Sequence, residues 1–405
     1  MNVLFVSPGF PPEMPFFTRG LNSVEARVIG LGDQPEAGMP RMTRDNLSAY
    51  FRINGFADEA GMMAEVERIA RQVRLDRIEC LWEPMMIPVA RIREKLGLPG
   101  MTVAETIPFR DKEVMKRVLD AAGIRTPRHG NATSVAEARA AAGKVGFPLV
   151  IKPIAGAGSA DTYKCESMEQ LEDVFRKMKH IPEVSVEEFI DGEDFTFDTI
   201  CAGGKVLFEN ICFYRPRALI SRNNDWISPQ TVALREVQAD WVKSGRAMGY
   251  AVLEALNFKT GFTHMEWYRK PDGEAIFGEI GCRSAGARTV DTMNWAADTD
   301  SFKNWAEAVC HGRISASLEK KYNAIAIFKR AEGEGRIQRI EGLARLMSEI
   351  GQHICAIDLT PLGQPKRPAD QTLIGDGFVM LRHPELKTAL ELGDRVATEL
   401  RLFAG

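Results

Sequence analysis

Glu266 and Glu279 carry the clearest chemistry in this sequence. They lie in two strand-like segments of the run from Gly261 to Arg288, separated by Lys270-Pro271-Asp272-Gly273, a turn in which Pro presets φ and Gly supplies positive φ. An even-numbered loop centred between Asp272 and Gly273 sets Glu266 opposite Glu279, Met265 opposite Ile280 and Arg269 opposite Ile276. The apolar character of the face away from the glutamates supports this register over a one-residue slip. Period two then puts Phe277, Glu279, Gly281 and Arg283 on the carboxylate side. Directly opposed residues have Cβ atoms roughly 4.5–5.5 Å apart, and like charges there are destabilising. A proton, a guanidinium or a bound cation must compensate. Hard divalent ions such as Mg²⁺ are held by one or two carboxylates plus substrate phosphates, and Arg283 is placed to reach an anion bound to such an ion. The competing reading is a surface hairpin whose glutamates are solvated and further apart.

A second stretch suits the phosphates that such a cation would share. Phe147-Pro-Leu-Val-Ile-Lys-Pro153 is a nearly continuous apolar run, the pattern of a buried strand, with Lys152 at its end. Ile154-Ala-Gly-Ala-Gly-Ser-Ala160 follows at once, bringing Gly156, Gly158 and Ser159. Small residues let backbone N–H groups approach an anion, and a lysine adds a point charge. The order differs from G-x-x-x-x-G-K-[ST], because here the lysine precedes the glycines. A flexible turn whose lysine snorkels to solvent is the alternative.

The elements that must position these groups come from a chain of 405 residues, long enough for two to four domains or subdomains. Hydrophobic content of 45% and charged content of 26% are those of a soluble globular protein. A net charge of -3 without a lysine-arginine run gives no reason to expect a nucleic-acid partner. Seven widely spaced cysteines without a CxxC pair indicate neither a disulfide framework nor a zinc site, and a reducing cytoplasm is the expected compartment. The start, Met1 to Val6, has no basic leader and is too short for a signal or membrane segment, so no membrane is expected.

In chain order, residues 2–6 read as a strand followed by a Pro-rich loop from Ser7 to Pro15, a site candidate because ligands of parallel sheets sit at strand carboxyl ends. Ala26 to Gly32 and Arg77 to Trp82 are strand-like and Met62 to Val73 helical, which predicts a small parallel α/β domain to about residue 105. A helix follows from Asp111 to Ala122, opened by Arg110-Asp111-Lys112, and Ser134 and Ser167 begin capping-box helices. Val184–Ile190, Phe195–Ala202 and Lys205–Tyr214 read as a β-meander, Trp241 to Leu256 and Asn294 to Val309 as helices. From Tyr322 onward strand-like and helical pieces alternate as a small C-terminal α+β domain, in which His353 and His383 are ordinary fold histidines.

Taken together, these stretches resemble the ATP-grasp superfamily, most of all its carboxylate-amine ligases such as L-amino acid ligases, with biotin carboxylase as a more distant likeness. The resemblance rests on Arg110-Asp-Lys112 before a helix, Phe147 to Lys152 with the Gly-Ala loop, Glu187-Glu-Phe-Ile190-Asp-Gly-Glu-Asp194, His264-Met-Glu266, and Glu279-Ile-Gly-Cys-Arg283, in that order. It implies an α/β and α+β chain: an N-terminal Rossmann-like domain over about 1–105, an ATP-grasp domain over about 106–320 with a lid near 125–186, and a C-terminal domain over 321–405. It implies ATP with Mg²⁺ or Mn²⁺, small-molecule carboxylate and amine substrates, and often a homodimer. On the matching positions Lys112 and Lys152 contact phosphates, covered by Gly156, Gly158 and Ser159. Glu187, Glu188, Phe189 and Ile190 form the hinge that reads adenine, largely through backbone groups, Asp194 with Glu193 holds the ribose, Glu266 and Glu279 bind metal, and Arg283 steadies the transferred phosphate. Two departures stand out. The family commonly has asparagine where this chain has Gly281, which bears on a second metal and keeps a non-catalytic ATP-binding protein in view. Ser284 to Arg288 also differs from the biotin carboxylase pattern, which disfavours a bicarbonate reaction. Arg215, Arg217 and Arg288 are the candidates for binding a substrate carboxylate, with surface arginines as the alternative.

Overall fold

The computed structural model describes residues 1–154, 161–222, 224, 226–367 and 374–405. At the N-terminus the apolar run Val3-Leu4-Phe5-Val6 is wholly buried and forms a central strand of a four-stranded parallel sheet, ordered Ala49–Arg52, Arg27–Gly32, Asn2–Val6, Arg77–Glu79. The expected loop to Pro15 is cut short by a helix, Met14–Ser23, whose proline falls in the first turn where no N–H is needed. That helix packs on a second one, Ser301–His311: Phe17 meets Phe302 edge-on at 4.9 Å and Trp305 at 5.2 Å. The single helix expected over 294–309 is two, Thr289–Ala297 and Ser301–His311, because Asp298 turns left-handed (φ 49°) and Asp300 caps the second.

A four-stranded antiparallel sheet, ordered His129–Ala132, Val184–Glu188, Leu149–Pro153, Tyr163–Cys165, carries helices Val135–Val145 and Met168–Lys177 packed on its apolar side. Ser134 and Ser167 cap these helices, each accepting from the N–H three residues on at 3.3 Å. The reciprocal arms reach one residue further back than a capping box requires: Glu137 accepts from Thr133 N and Gln170 from Glu166 N. Val184–Glu188 belongs to this sheet, so the expected meander with Phe195–Ala202 does not form. The chain crosses at Asp191-Gly192 to another sheet, and Gly192 is pressed against the Arg269 carbonyl, where a Cβ would lie only 2.6 Å away.

That other sheet has eight antiparallel strands, ordered Ala275–Gly281, Gly261–Arg269, Glu193–Ala202, Lys205–Arg215, Gln230–Ala233, Asn323–Lys329, Gly377–His383, Ile354–Leu359. Three of its strands come from beyond residue 321, so the C-terminal α+β region continues the central sheet, adding to it a two-stranded pair, Ile337–Glu341 with Arg401–Ala404, and the helices Leu343–Ile350 and Leu386–Glu399. Helices Lys112–Ala121 and Lys243–Ala255 bury a core of Phe195, Phe197, Met265, Trp267, Phe277 and Ile280 against it.

Candidate active site

The hairpin pairs Glu266 with Glu279, Met265 with Ile280 and His264 with Gly281. Nearer the turn the expected register fails: Tyr268 faces Ile276 and Arg269 faces Ala275, not Ile276. The loop holds five residues, 270–274, an odd number, and a β-bulge at Gly278 absorbs the extra residue before Glu279. A Cβ at Gly278 would come within 2.8 Å of the Glu266 carbonyl oxygen. The bulge also moves Phe277 off the carboxylate face and into the core beside Met265 and Trp267.

Above this hairpin, a cleft opens between the four-stranded and eight-stranded sheets. Lys112, Lys152, Glu187, Asp194, Glu266 and Glu279 all line it. Lys112 is the first residue of its helix, brought there by the Asp111 cap, which accepts from Glu113 N and Val114 N at 3.0 Å. Its Nζ stands 3.2 Å from Glu279 Oε2. Burial opposes ionisation of Glu279, but the charges of Lys112 and Lys152 prevail and hold its carboxyl below the usual range. Glu266 differs, with 40% of its side chain exposed and, among the described residues, His264 Nε2 at 3.6 Å as its ion-pair partner. The His264 Nδ1 lies 2.6 Å from Asp198; burial alone would lower this imidazole, yet the two carboxylates raise it to about 9.

Lys152 closes the floor of the cavity with its Nζ 2.9 Å from Glu187 Oε2, while the other Glu187 oxygen accepts from Lys116. Two lysines overcome the burial of Glu187 and drive its carboxyl far below the ordinary carboxylate range. Both its oxygens are committed to internal cations, and the expected adenine hinge rests largely on backbone groups rather than on this side chain. Glu188 is likewise occupied, accepting from Arg125 at 3.0 Å and from the Arg128 backbone at 3.1 Å. Phe189 and Ile190 face the cavity. Asp194 is there too, paired with Arg217 Nε at 2.8 Å, and burial raises its pKa in spite of that partner. Glu193 is 65% exposed in its side chain, pairs at 3.4 Å with Arg269, and does not line the cavity. Gly156, Gly158 and Ser159 lie outside the described residues.

Arg283 donates to Glu83 Oε2 at 2.7 Å, and Glu83 also holds Arg110. A residue of the N-terminal region thus aims the arginine of the hairpin. Sequence reasoning missed Glu83, for which no local signal exists, and Lys116, for which one does: it follows Lys112 by one helical turn on the same face. It also missed Tyr214 and Tyr268 as lining residues and placed Arg217 with the acceptor rather than at this cavity. His353 and His383 meet edge-on at 5.2 Å in the C-terminal region.

Among the described residues no three His, Cys, Asp or Glu side chains form a ready metal cage. The donor set fits Mg²⁺ nonetheless, since two carboxylates beside lysines suit an ion whose shell is completed by phosphate oxygens and water.

Residues 28–100 match the ATP-grasp N-terminal domain and residues 109–223 the ATP-grasp domain. The L-arginine-specific L-amino acid ligase of Bacillus subtilis is 26% identical over 263 residues, 61% of this chain and 55% of that protein. Alanine--anticapsin ligase of the same species is 24% identical over 281 residues, 65% of this chain and 59% of that one. The chain therefore spans little more than half the length of the curated relatives it matches. Over the whole fold, the crystal structure of an L-amino acid ligase from Bacillus licheniformis superposes with a TM-score of 0.79 at 18% identity, covering 100% of this chain and 98% of that one. The biotin carboxylase domain dimer of the Hydrogenobacter thermophilus 2-oxoglutarate carboxylase, a complex with MgADP, ADP and bicarbonate, gives 0.71 at 17% identity, covering 99% and 91%. With the ATP-grasp N-terminal domain and the ATP-grasp domain matched in sequence over residues 28–100 and 109–223, and the architecture of those ligases from end to end, the chain carries ATP-grasp domains in the ATP-grasp fold.

Proposed function

We propose that this protein is an ATP-dependent, ADP-forming ligase that activates a carboxylate as an acyl phosphate for attack by an amine. The observation that carries the proposal is the convergence of Glu266, Glu279, Lys112 and Lys152 on one cavity, with Arg283 held beside it by Glu83. A carboxylate is a poor electrophile because oxide would have to leave. Transfer of the γ-phosphoryl group to a carboxylate oxygen releases ADP; the amine then attacks the acyl carbon and phosphate departs. Such transfer asks the protein mainly for positioning and charge neutralisation.

In this reading Lys152 and Lys112 hold phosphate oxygens, and Phe189 and Ile190 border the adenine. Asp194, with Arg217 paired to it, borders the ribose. Glu266 and Glu279 would hold the divalent ion, which when bound neutralises phosphate charge. Glu187 serves as the internal counterion that keeps Lys152 in place. Of the three candidate carboxylate-binding arginines, Arg215 is paired with Asp394 at 3.1 Å and Arg217 with Asp194 at 2.8 Å. Arg288 has the longer ion contacts, Asp291 at 3.4 Å and Asp358 at 3.9 Å, and its guanidinium lies between the Phe16 and Phe378 rings at 5.7 and 4.9 Å. We assign it the substrate carboxylate.

Screening amino acids and small carboxylic acids in pairs for ADP and phosphate release tests the reaction. Turnover requiring both partners, and lost in Glu279→Ala and Lys152→Ala, is the expected result; turnover unchanged in both variants removes the site. Gly281, which puts no side chain opposite His264, favours a second reading as a non-catalytic ATP-binding protein. Calorimetry would then show nucleotide binding with no ADP formed from any pair. We further propose a cytoplasmic homodimer, checked by light scattering, and domains bounded near residues 105 and 320, checked by limited proteolysis.

A further inference from the structure

We propose that a buried Asp198–His264 pair positions Glu266 for the divalent cation, supplying from the neighbouring strand a support that residue 281 has no side chain to give. Gly281, His264, Asp198 and Asn210 are direct partners across four adjacent strands. They therefore share one face of the sheet. Glu279, Glu266, Thr196 and Cys212 make the parallel row two residues along each strand, on that same face. The imidazole bridges the rows: Nδ1 is 2.6 Å from Asp198 Oδ1 and Nε2 is 3.6 Å from Glu266 Oε1.

Asp198 has no exposed surface, and its second oxygen is fully engaged. Thr196 Oγ1 donates to Oδ2 at 2.8 Å and Asn210 Nδ2 at 3.2 Å. The Asn210 oxygen accepts in turn from Lys320, which also donates to the Leu234 carbonyl at 3.3 Å. A carboxylate in the middle of a sheet is costly unless it is bonded in this way. What the bonds achieve is a fixed ring plane for His264, aimed at Glu266. Among the described residues His264 is the only ion-pair partner of Glu266, whereas Glu279 has Lys112. Groups that orient a ligating carboxylate typically change metal affinity when removed, by roughly 10–100-fold.

The proposal rests on Glu266 being a cation ligand, and not on which acceptor is used. Its test is Mn²⁺ binding by the full chain at saturating ADP, followed by the electron paramagnetic resonance of free Mn²⁺, with ADP binding in EDTA measured in parallel. His264→Ala is expected to weaken Mn²⁺ binding by about 10–100-fold, with ADP binding in EDTA unchanged. Asp198→Asn should move it in the same direction, and His264→Gln, which keeps a donor near Glu266, should recover part of the loss. Wild-type Mn²⁺ affinity in His264→Ala, or an equal loss of metal-free ADP binding, overturns the positioning role. Wild-type Mn²⁺ affinity in Glu266→Gln overturns the cation site itself.

Discussion

Glu187 reaches the cavity from the four-stranded sheet with 5% of its side chain exposed and a lysine on each oxygen, whereas Glu266 reaches it from the eight-stranded sheet with 40% exposed and one imidazole 3.6 Å away. The first carboxylate is completed by the protein; the second is left with capacity for something the protein does not contain. Glu279 is intermediate, with 31% of its side chain exposed and Lys112 at 3.2 Å, yet on the same face as Glu266. Around one cavity, then, charge that is internally neutralised sets the frame, and charge that is under-neutralised marks where chemistry is expected. Glu188 and Glu193 extend the contrast, since one is tied to Arg125 and Arg128 and the other stands in solvent.

The largest expected effect falls on the closed carboxylate. Glu187→Gln removes the closest counterion of both Lys116 and Lys152, leaving Lys116 with only the longer Glu113 contact at 3.8 Å among the described residues, and should cost about 3–5 kcal/mol of folding stability, as removal of one partner of a buried pair does. Urea unfolding measures it, and a loss below about 1 kcal/mol would erase the distinction drawn here. The pH dependence has a definite sign. The folded pKa of Glu187 is depressed below its ordinary 4.5, so its contribution is fully present above that pH and is lost as pH falls below it. Wild-type stability should therefore fall more steeply in that acid range than that of Glu187→Gln.

Next comes the open pair. Glu279→Gln should lower ADP formation by about 10²–10³-fold, the scale of losing one preorganised electrostatic group, while urea stability changes far less than in Glu187→Gln. A variant that loses stability and turnover equally would make Glu279 a frame residue as well. Glu188→Ala should cost about 1 kcal/mol, the scale of charge-assisted hydrogen bonds to partly exposed arginines, visible as earlier proteolysis near residues 125–128. Glu193→Ala should stay within about 0.5 kcal/mol and leave nucleotide affinity unchanged. A fall in affinity there would return Glu193 to the ribose site.

The sequence by itself determined what period and local caps can determine. Period two and the turn after Arg269 put Glu266 against Glu279 even though the loop is odd-numbered, because the Gly278 bulge offsets that difference before the glutamates are reached. The Asp111 cap set the start of the helix and with it Lys112 at the cavity. The apolar run to Lys152 made a strand, Leu149–Pro153, with the lysine near its end, although only Leu149 and Ile151 are buried and not the whole run. The order of these stretches was enough to point to the superfamily. What only the tertiary structure decided is which charges neutralise each other. Glu187 meets Lys116 across 71 positions and Arg283 meets Glu83 across 200, separations at which no local pattern constrains a partner. The same holds for Val184–Glu188, whose alternation fits a meander as well as it fits the sheet it joins. A strand's own residues dictate which face is buried; the sheet that accepts it, and the counterions it finds there, follow from how the whole chain packs.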